Sequence, residues 1–380
     1  MTPETVNSRS PSLASHTLPR VPSIVQPVFD VSAVSLDDGL VMRMFEAFFQ
    51  HVHPIPLYSF FHKASLVQRF EAGQLDTSLI LSMIGMTCQL LDMGPGLREY
   101  GAACLQEAEA LVLKNIGTPS VVMIQCLVLI IRHHAHQRRF RKAFMLFAIA
   151  SRCAYALRLN YESPSLCFLA QESRRRLMWS LYIIDTTMAG GARELVMCPT
   201  SSIHIQLPCQ ERNFEFDLAQ ETEPLQPEPK KALAESVGSL GMYVRLLWLR
   251  HRILQTTKDA VLFGGYHVEE FPTKVHQLES ELEDFEMSLP QSFRFSEKNL
   301  LLRAYSPRLC PYLLIHVWYR QLYCDLYRVT LRGLAEAIPD PEMDRMDEGF
   351  LRDCRKKCLQ NGIELAEVFK SFKRSELVVR

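Results

Sequence analysis

An all-α fold is what this 380-residue chain predicts, and three observations predict it. Apolar residues recur three and four positions apart through one segment after another, the pattern of helices with a buried face. Boundary residues bracket those segments: Thr118-Pro119 and Ser163-Pro164 read as a cap followed by proline in the first turn, and Gly190-Gly191 as a left-handed stop. The connectors are short, which suits antiparallel neighbours. The expected architecture is a large irregular array of antiparallel helix pairs round a buried central helix, with no sheet beyond two short strands. At 48% hydrophobic residues the chain can form a substantial core.

In chain order, residues 1–34 are rich in Ser, Pro and Thr and lack apolar periodicity, so they are expected to be disordered. Residues 35–380 form the helical domain. Ser35 and Asp38 offer a weak capping box before a stripe of Leu40, Val41, Met44, Phe45, Phe48 and Val52, giving a helix over about 36–52 that Pro54 and Pro56 stop. From Asp76 to Leu91 nearly every face is apolar, so that helix belongs deep in the fold. Leu97 to Leu113 is amphipathic, with Glu107 and Glu109 facing away from its apolar side. An apolar helix then runs from Thr118-Pro119 to about Ile131, and another from about Arg139 to Leu159.

Ser163 to Gly191 reads as the central helix. Leu166, Leu169, Ala170, Ser173, Leu177, Leu181, Ile184 and Met188 make one stripe, and Trp179, Tyr182 and Ile183 cover much of the other side. A helix apolar nearly all round is buried, so Arg174, Arg175, Arg176 and Asp185 must find partners there. At about 1.5 Å per residue Arg174 and Asp185 are ~16 Å apart along the axis. Bridging through a neighbouring helix is therefore expected rather than a direct pair. Beyond Gly191 an acidic, proline-broken stretch at about 209–230 reads as a mobile loop, and Phe214, Phe216 and Leu218 beside it read as a surface segment before a small activation-type motif. Helical pattern returns over about 231–258, again with Val275, Leu278, Leu282 and Phe285 before Leu289-Pro290, after Ser306-Pro307, and finally with Leu351, Cys354, Cys358, Leu365 and Val368. Tyr312, Trp318, Tyr319, Tyr323 and Tyr327 at helical spacing read as core before ligand cavity.

The string Glu172-Ser-Arg174-Arg175-Arg176-Leu-Met-Trp179 followed by Asp185 resembles the motif of the regulatory domain of fungal zinc-cluster transcription factors, the middle homology region. Other segments agree in order: Phe48-Phe49 with His51-Val52-His53-Pro54, then Pro119 to Leu129 with Gln125, then Ala143 to Leu159 with Arg152-Cys153-Ala154, and Leu207-Pro208. After the Asp the family usually has a Gly-Arg-Pro turn, where this chain reads Gly190-Gly191-Ala192-Arg193-Glu194. The resemblance implies a nuclear transcription regulator of metabolic or secondary-metabolite genes. It implies that Glu172, Arg174, Arg175, Arg176, Trp179 and Asp185 are the structural and regulatory residues. Other transcription proteins and a small-molecule effector are the partners it suggests. The rival readings are a helical interaction scaffold and a small-molecule-binding helical protein. The family's six-cysteine zinc module has no counterpart here, since residues 1–87 hold no cysteine. The chain is accordingly expected to be either a fragment, shortened also at its C-terminus, or a member that does not touch DNA itself.

Lys plus Arg equals Asp plus Glu at 42 each, so no overall field draws the chain to nucleic acid or a membrane surface. The most basic run, Arg132, His133, His134, His136, Arg138, Arg139, Arg141 and Lys142, reads as a solvated connector, without the stacking aromatics or module of a nucleic-acid site. No direct specific DNA binding is expected. The longest apolar run, Val121 to Ile131, is broken by Gln125 and is short of the roughly 18 residues a bilayer requires. Eleven scattered cysteines without CxxC read as reduced and intracellular. His51 with His53, the histidines near 134, and the pair Cys354 and Cys358 each fall short of a metal-ligand pattern. With no phosphate loop, G-x-S-x-G or H-E-x-x-H, neither an enzyme nor a cofactor is expected.

Overall fold

Helix boundaries here follow the local capping chemistry. In the computed structural model, which describes residues 37–226, 235–262 and 266–379, the helices are α1 (Asp38–Ala47), α2 (Lys63–Glu71), α3 (Thr77–Leu90), α4 (Leu97–Lys114), α5 (Val121–His136), α6 (Phe140–Ala156), α7 (Phe168–Ala189), α8 (Glu211–Glu215), α9 (Ser239–Leu262), α10 (Tyr266–Ser288), α11 (Glu297–Leu301), α12 (Leu309–Tyr327), α13 (Asp340–Met343) and α14 (Glu348–Val379). The fold is all-α. Among the described residues the extended pairings are the isolated bridges Tyr161–His204 and Cys209–Val237. The expected disorder of residues 1–34 lies outside the described residues.

Several boundaries differ from the sequence expectation, each for a local reason. Asp37 caps α1 by accepting from the Leu40 N–H at 3.2 Å; the proposed Ser35 cap lies outside the described residues. The last part of that helix is a π turn, Phe48–Val52, closed by the His53 N–H on the Phe48 carbonyl at 2.8 Å. The wider turn leaves Phe48, Phe49 and Val52 all buried. The two cap-then-proline signals each mark a turn just upstream of a helix. Ser120 caps α5 through the Met123 N–H at 3.1 Å, and α7 begins only at Phe168. Ahead of α7 the chain is held at His204, whose N–H meets the Asn160 carbonyl at 2.8 Å, and residues 163–166 close a separate turn. Gly190, at φ +51°, ends α7 as expected.

The basic run is a solvated connector only in part: Arg138 and Arg139 form the exposed turn between α5 and α6, while its first residues are helical. α5 continues to His136 because His133 and His134 are buried, and His134 Nε2 meets Glu109 Oε2 on α4 at 2.7 Å. Glu109, expected to face away, is instead buried, and Lys142 on α6 closes on its other oxygen at 2.7 Å. One carboxylate thus ties α4, α5 and α6 together. The acidic stretch expected as a loop contains α8, and Arg245 on α9 fastens its far side through Glu223 at 2.8 Å and the carbonyls of Pro224 and Leu225. Residues 227–234 lie outside the described set. The α12 aromatics Tyr312, Tyr319, Tyr323 and Tyr327 are core.

Packing places α7 against α5, α6 and α9, joining the first six helices to the C-terminal set in which α9, α10, α12 and α14 pack on one another. The tightest pair, α3 and α4, meets through glycines: a Cβ on Gly85 would lie 2.4 Å from Leu105 Cγ, and one on Gly101 2.5 Å from Cys88 Cβ.

Candidate functional site

The motif residues lie on the buried length of α7, and each has a partner. Glu172 is fully buried; its Oε1 accepts from Arg176 Nε at 2.8 Å and from the Cys209 N–H at 3.0 Å, and its Oε2 from Arg175 Nη1 at 2.6 Å. Arg175 donates two further bonds of 3.0 Å to both oxygens of Glu162, which itself accepts from the Gln206 N–H at 2.9 Å. Arg176 is 1% exposed and donates to the carbonyls of Ser59 at 3.3 Å and Cys209 at 2.8 Å, with its guanidinium 4.3 Å from the centre of the Phe214 ring. Burial alone would weaken its hold on the proton, but Glu172 and Glu211 outweigh that and raise its pKa. Arg174 donates to the Leu157 carbonyl at 2.8 Å.

Farther along α7, Trp179 is fully buried and its Nε1–H donates to the Gln206 carbonyl at 2.8 Å. Asp185, 1% exposed, accepts from the N–H groups of Met197 and Cys198 at 2.9 Å each. Burial pushes the Asp185 carboxyl up, and the two N–H bonds only partly offset this. Asp185 therefore does not reach an arginine through a neighbouring helix, as the sequence had suggested. Its partners are main-chain groups, while Arg175 and Arg176 are neutralised by Glu172 and Glu162. Together these side chains clamp residues 197–209, the segment that returns along α7, against the helix.

Sequence reasoning missed Glu162, Gln206, Ser59 and Phe214. Two of these, Gln206 and Ser59, act through main-chain atoms, which no residue pattern advertises. Phe214 stood among acidic residues but is buried on Arg176, while Phe216 and Leu218 are exposed.

Arg176 and Phe214 also form part of the wall of a cleft of about 510 Å³. Phe49, Phe61, Val67 and Leu240 make much of its apolar surface. Ion pairs Lys63–Glu46 at 2.7 Å and Arg308–Glu215 at 3.8 Å stand at half-exposed positions on it. His53 also lines it; its Nε2 lies 2.8 Å from the Phe61 carbonyl and so carries the proton. Burial and then the nearby Arg176 lower its pKa to about 3, so Nδ1 is a free-base acceptor at neutral pH. Glu211 holds the start of α9 through Ser239 Oγ at 2.7 Å. Among the described residues no group of three or more His, Cys, Asp or Glu is placed to hold a metal, and no helix is long and apolar enough to cross a membrane.

The chain is 22% identical over 362 residues to the Zn(2)-C6 fungal-type transcription factor FTF1c of Fusarium oxysporum f. sp. lycopersici, covering 87% of this chain and 38% of the relative. It is 23% identical over 372 residues to the nitrogen assimilation transcription factor nirA of Emericella nidulans, covering 90% and 38%. An uncharacterized transcriptional regulatory protein of Schizosaccharomyces pombe is 22% identical over 320 residues, covering 76% and 32%. The chain thus spans only about a third of the length of these relatives. No solved structure matches it. The profile of the fungal specific transcription factor domain matches residues 45–286, which takes in the whole of α7 and the segment it clamps, and the chain belongs to that family.

Proposed function

We propose that this chain is the helical regulatory part of a fungal-type transcription regulator, acting in the nucleus on genes of a metabolic or secondary-metabolite pathway through other transcription proteins. The observation that carries the reading is the family match over residues 45–286. The relatives' printed names describe transcription factors rather than enzymes. The motif favours the same class: its charged groups are spent on one another and on the main chain. They hold a segment in place and leave no carboxylate or base poised for a reactant. The family motif residues Glu172, Arg174, Arg175, Arg176, Trp179 and Asp185 are then positioning residues for the returning segment.

A small-molecule effector fits the cleft beside Arg176. A volume of about 510 Å³ is within the usual ~300–1,000 Å³ of ligand sites. Its apolar walls with one free-base histidine suit a largely apolar compound carrying a hydroxyl or amide donor. Occupancy would bear on Phe214 and Arg176, and through them on the α7 network. The basic run supports no sequence reading of DNA: two of its histidines are buried and Lys142 is engaged with Glu109. Base readout needs side chains held in a groove, and a dispersed set of cations gives only salt-sensitive attachment.

The test is a reporter assay with the chain tethered to an unrelated DNA-binding domain. A change in output that Glu172→Ala reduces, at equal protein level, is the expected result; a folded chain that leaves output unchanged sinks the reading. Thermal-shift screening of metabolites addresses the effector. A stabilising compound whose effect is lost in Phe61→Ala places it in the cleft, and one indifferent to that change does not.

A further inference from the structure

Three cysteines meet where α14 packs on α12. Cys324 on α12 has its Sγ 3.9 Å from the Cys358 carbonyl oxygen on α14, so the two cysteines are neighbours across this packing. Both are partly open to solvent, whereas Cys354, one turn earlier on α14, is buried. Beside the pair, Asp325 is buried and held by Arg250 at 3.3 Å and Arg328 at 3.4 Å.

The three sulfurs differ in character. The hydrogen bond from Cys324 pulls the Cys358 thiol down to about 7; burial opposes this, Arg328 adds to the fall and Asp325 resists it. The same hydrogen bond, with burial, raises Cys324. Burial pushes Cys354 up to about 12. Cys358 is thus the more readily ionised thiol of the pair and Cys324 the less, while the buried third is inert.

We propose that Cys358 and Cys324 form a peroxide-oxidisable pair whose disulfide joins α14 covalently to α12. The Cys358 thiolate attacks one oxygen of hydrogen peroxide, the O–O bond breaks, and hydroxide leaves and takes a proton to become water, giving a sulfenic acid. Cys324 sulfur then attacks the sulfenic sulfur. The S–O bond breaks, and its hydroxyl leaves with the Cys324 proton as a second water. Two thiols have lost two electrons and one peroxide has gained them. A small thiol reductant reverses the step by exchange. The sulfurs must close to about 2.0 Å, across a packing that already sets Cys324 Sγ 3.9 Å from the Cys358 carbonyl oxygen. In a reducing compartment such a bond is transient, which is the behaviour of a sensor rather than of a structural crosslink.

The experiment treats the purified full chain with hydrogen peroxide, blocks remaining thiols, digests without reductant and maps the peptides by mass spectrometry. A peptide pair linked through Cys324 and Cys358, abolished by dithiothreitol, is expected. Cys354→Ser should form the link as fast as the unmodified chain. Cys324→Ser should stop at a Cys358 sulfenic acid that a dimedone probe captures. Because the thiolate is the nucleophile and the Cys358 thiol is pulled down, Cys358 should oxidise severalfold faster than the exposed Cys167 of the same molecule. That internal comparison needs no variant to fold. Oxidation of Cys358 no faster than Cys167, absence of the link, or a dominant link between any other pair overturns the proposal.

Discussion

Asp185 shows how much one side chain can hold. Each of its oxygens satisfies one buried N–H, at Met197 and Cys198. Asp185→Ala leaves both without acceptors, at a cost of about 1–3 kcal/mol for each. Asp185→Asn keeps one acceptor and turns an amide against the other N–H, so it should fall between. Urea denaturation measures the series; an Ala variant as stable as the parent would mean that water reaches those groups. Glu172→Ala should cost more, about 3–5 kcal/mol, because it strips the countercharge from buried arginines. At this scale the sequence was partly legible. Its composition along α7 said that the arginines and Asp185 would be at least partly buried and would need partners: Arg175, Arg176 and Asp185 are buried, Arg174 is half-buried, and all four are partnered. It could not say which partners, since Leu157, Gln206, Met197 and Cys198 take part through peptide groups. Glu162, which does act through its side chain, lies outside the repeating pattern.

Between elements, α3 and α4 pack backbone to backbone. Gly85 and Gly101 permit it, and an added methyl at either would be met at 2.5 Å or less by Leu105 or Cys88. In an isolated helix Gly→Ala is favourable by about 1 kcal/mol; here Gly101→Ala should instead destabilise, since overpacking costs typically 1–3 kcal/mol. Chemical denaturation gives the sign, and a stabilised variant would show that the two helices can part without loss. Periodicity made these helices legible almost to the residue, because burial and period coincide in them. α2, α8, α11 and α13 escaped notice because five to nine residues, or four in α13, carry too few turns for a stripe. The proline signals misled by a few residues at α5 and α7, since a cap followed by proline starts a tight turn as readily as a helix.

Across the whole molecule, the histidines set an acid limit. Burial first, then nearby Arg176, lowers His53 to about 3; burial, then neighbouring cations, lowers His133 to about 4; burial lowers His316 to about 4 against its bond to the Phe293 carbonyl. In the unfolded chain each takes up a proton near 6.5, so there the unfolded state binds more protons and stability falls as pH drops. The loss begins below about 6.5, approaches ~1.4 kcal/mol per pH unit for each histidine, and ends near each folded value. Glu109 and Glu279 are held below the ordinary carboxylate range, burial notwithstanding, by hydrogen bonds led by Lys142 and Lys357 respectively. Their contribution is lost only at lower pH, and the raised Asp185 carboxyl works in the opposite sense, so a fall in urea midpoint between about pH 7 and 5 reports the histidines. A flat profile there would mean that these rings are open to solvent. The helical class was visible in the sequence as a whole, but the neutral histidines were not, because burial of one ring depends on packing contributed from distant parts of the chain.

The clamp on α7 has an implication for how such chains diverge. Arg174, Trp179 and Asp185 grip peptide groups, and so do two of the bonds of Arg176. Peptide groups survive almost any replacement of the side chains that bear them. The letters at 157, 197, 198 and 206 can therefore drift independently while the grip persists, so compensating exchanges have no counterpart position to appear in. Correlated substitution should be confined to Glu162, Glu172, Arg175 and Arg176, where both ends of a bond are side chains.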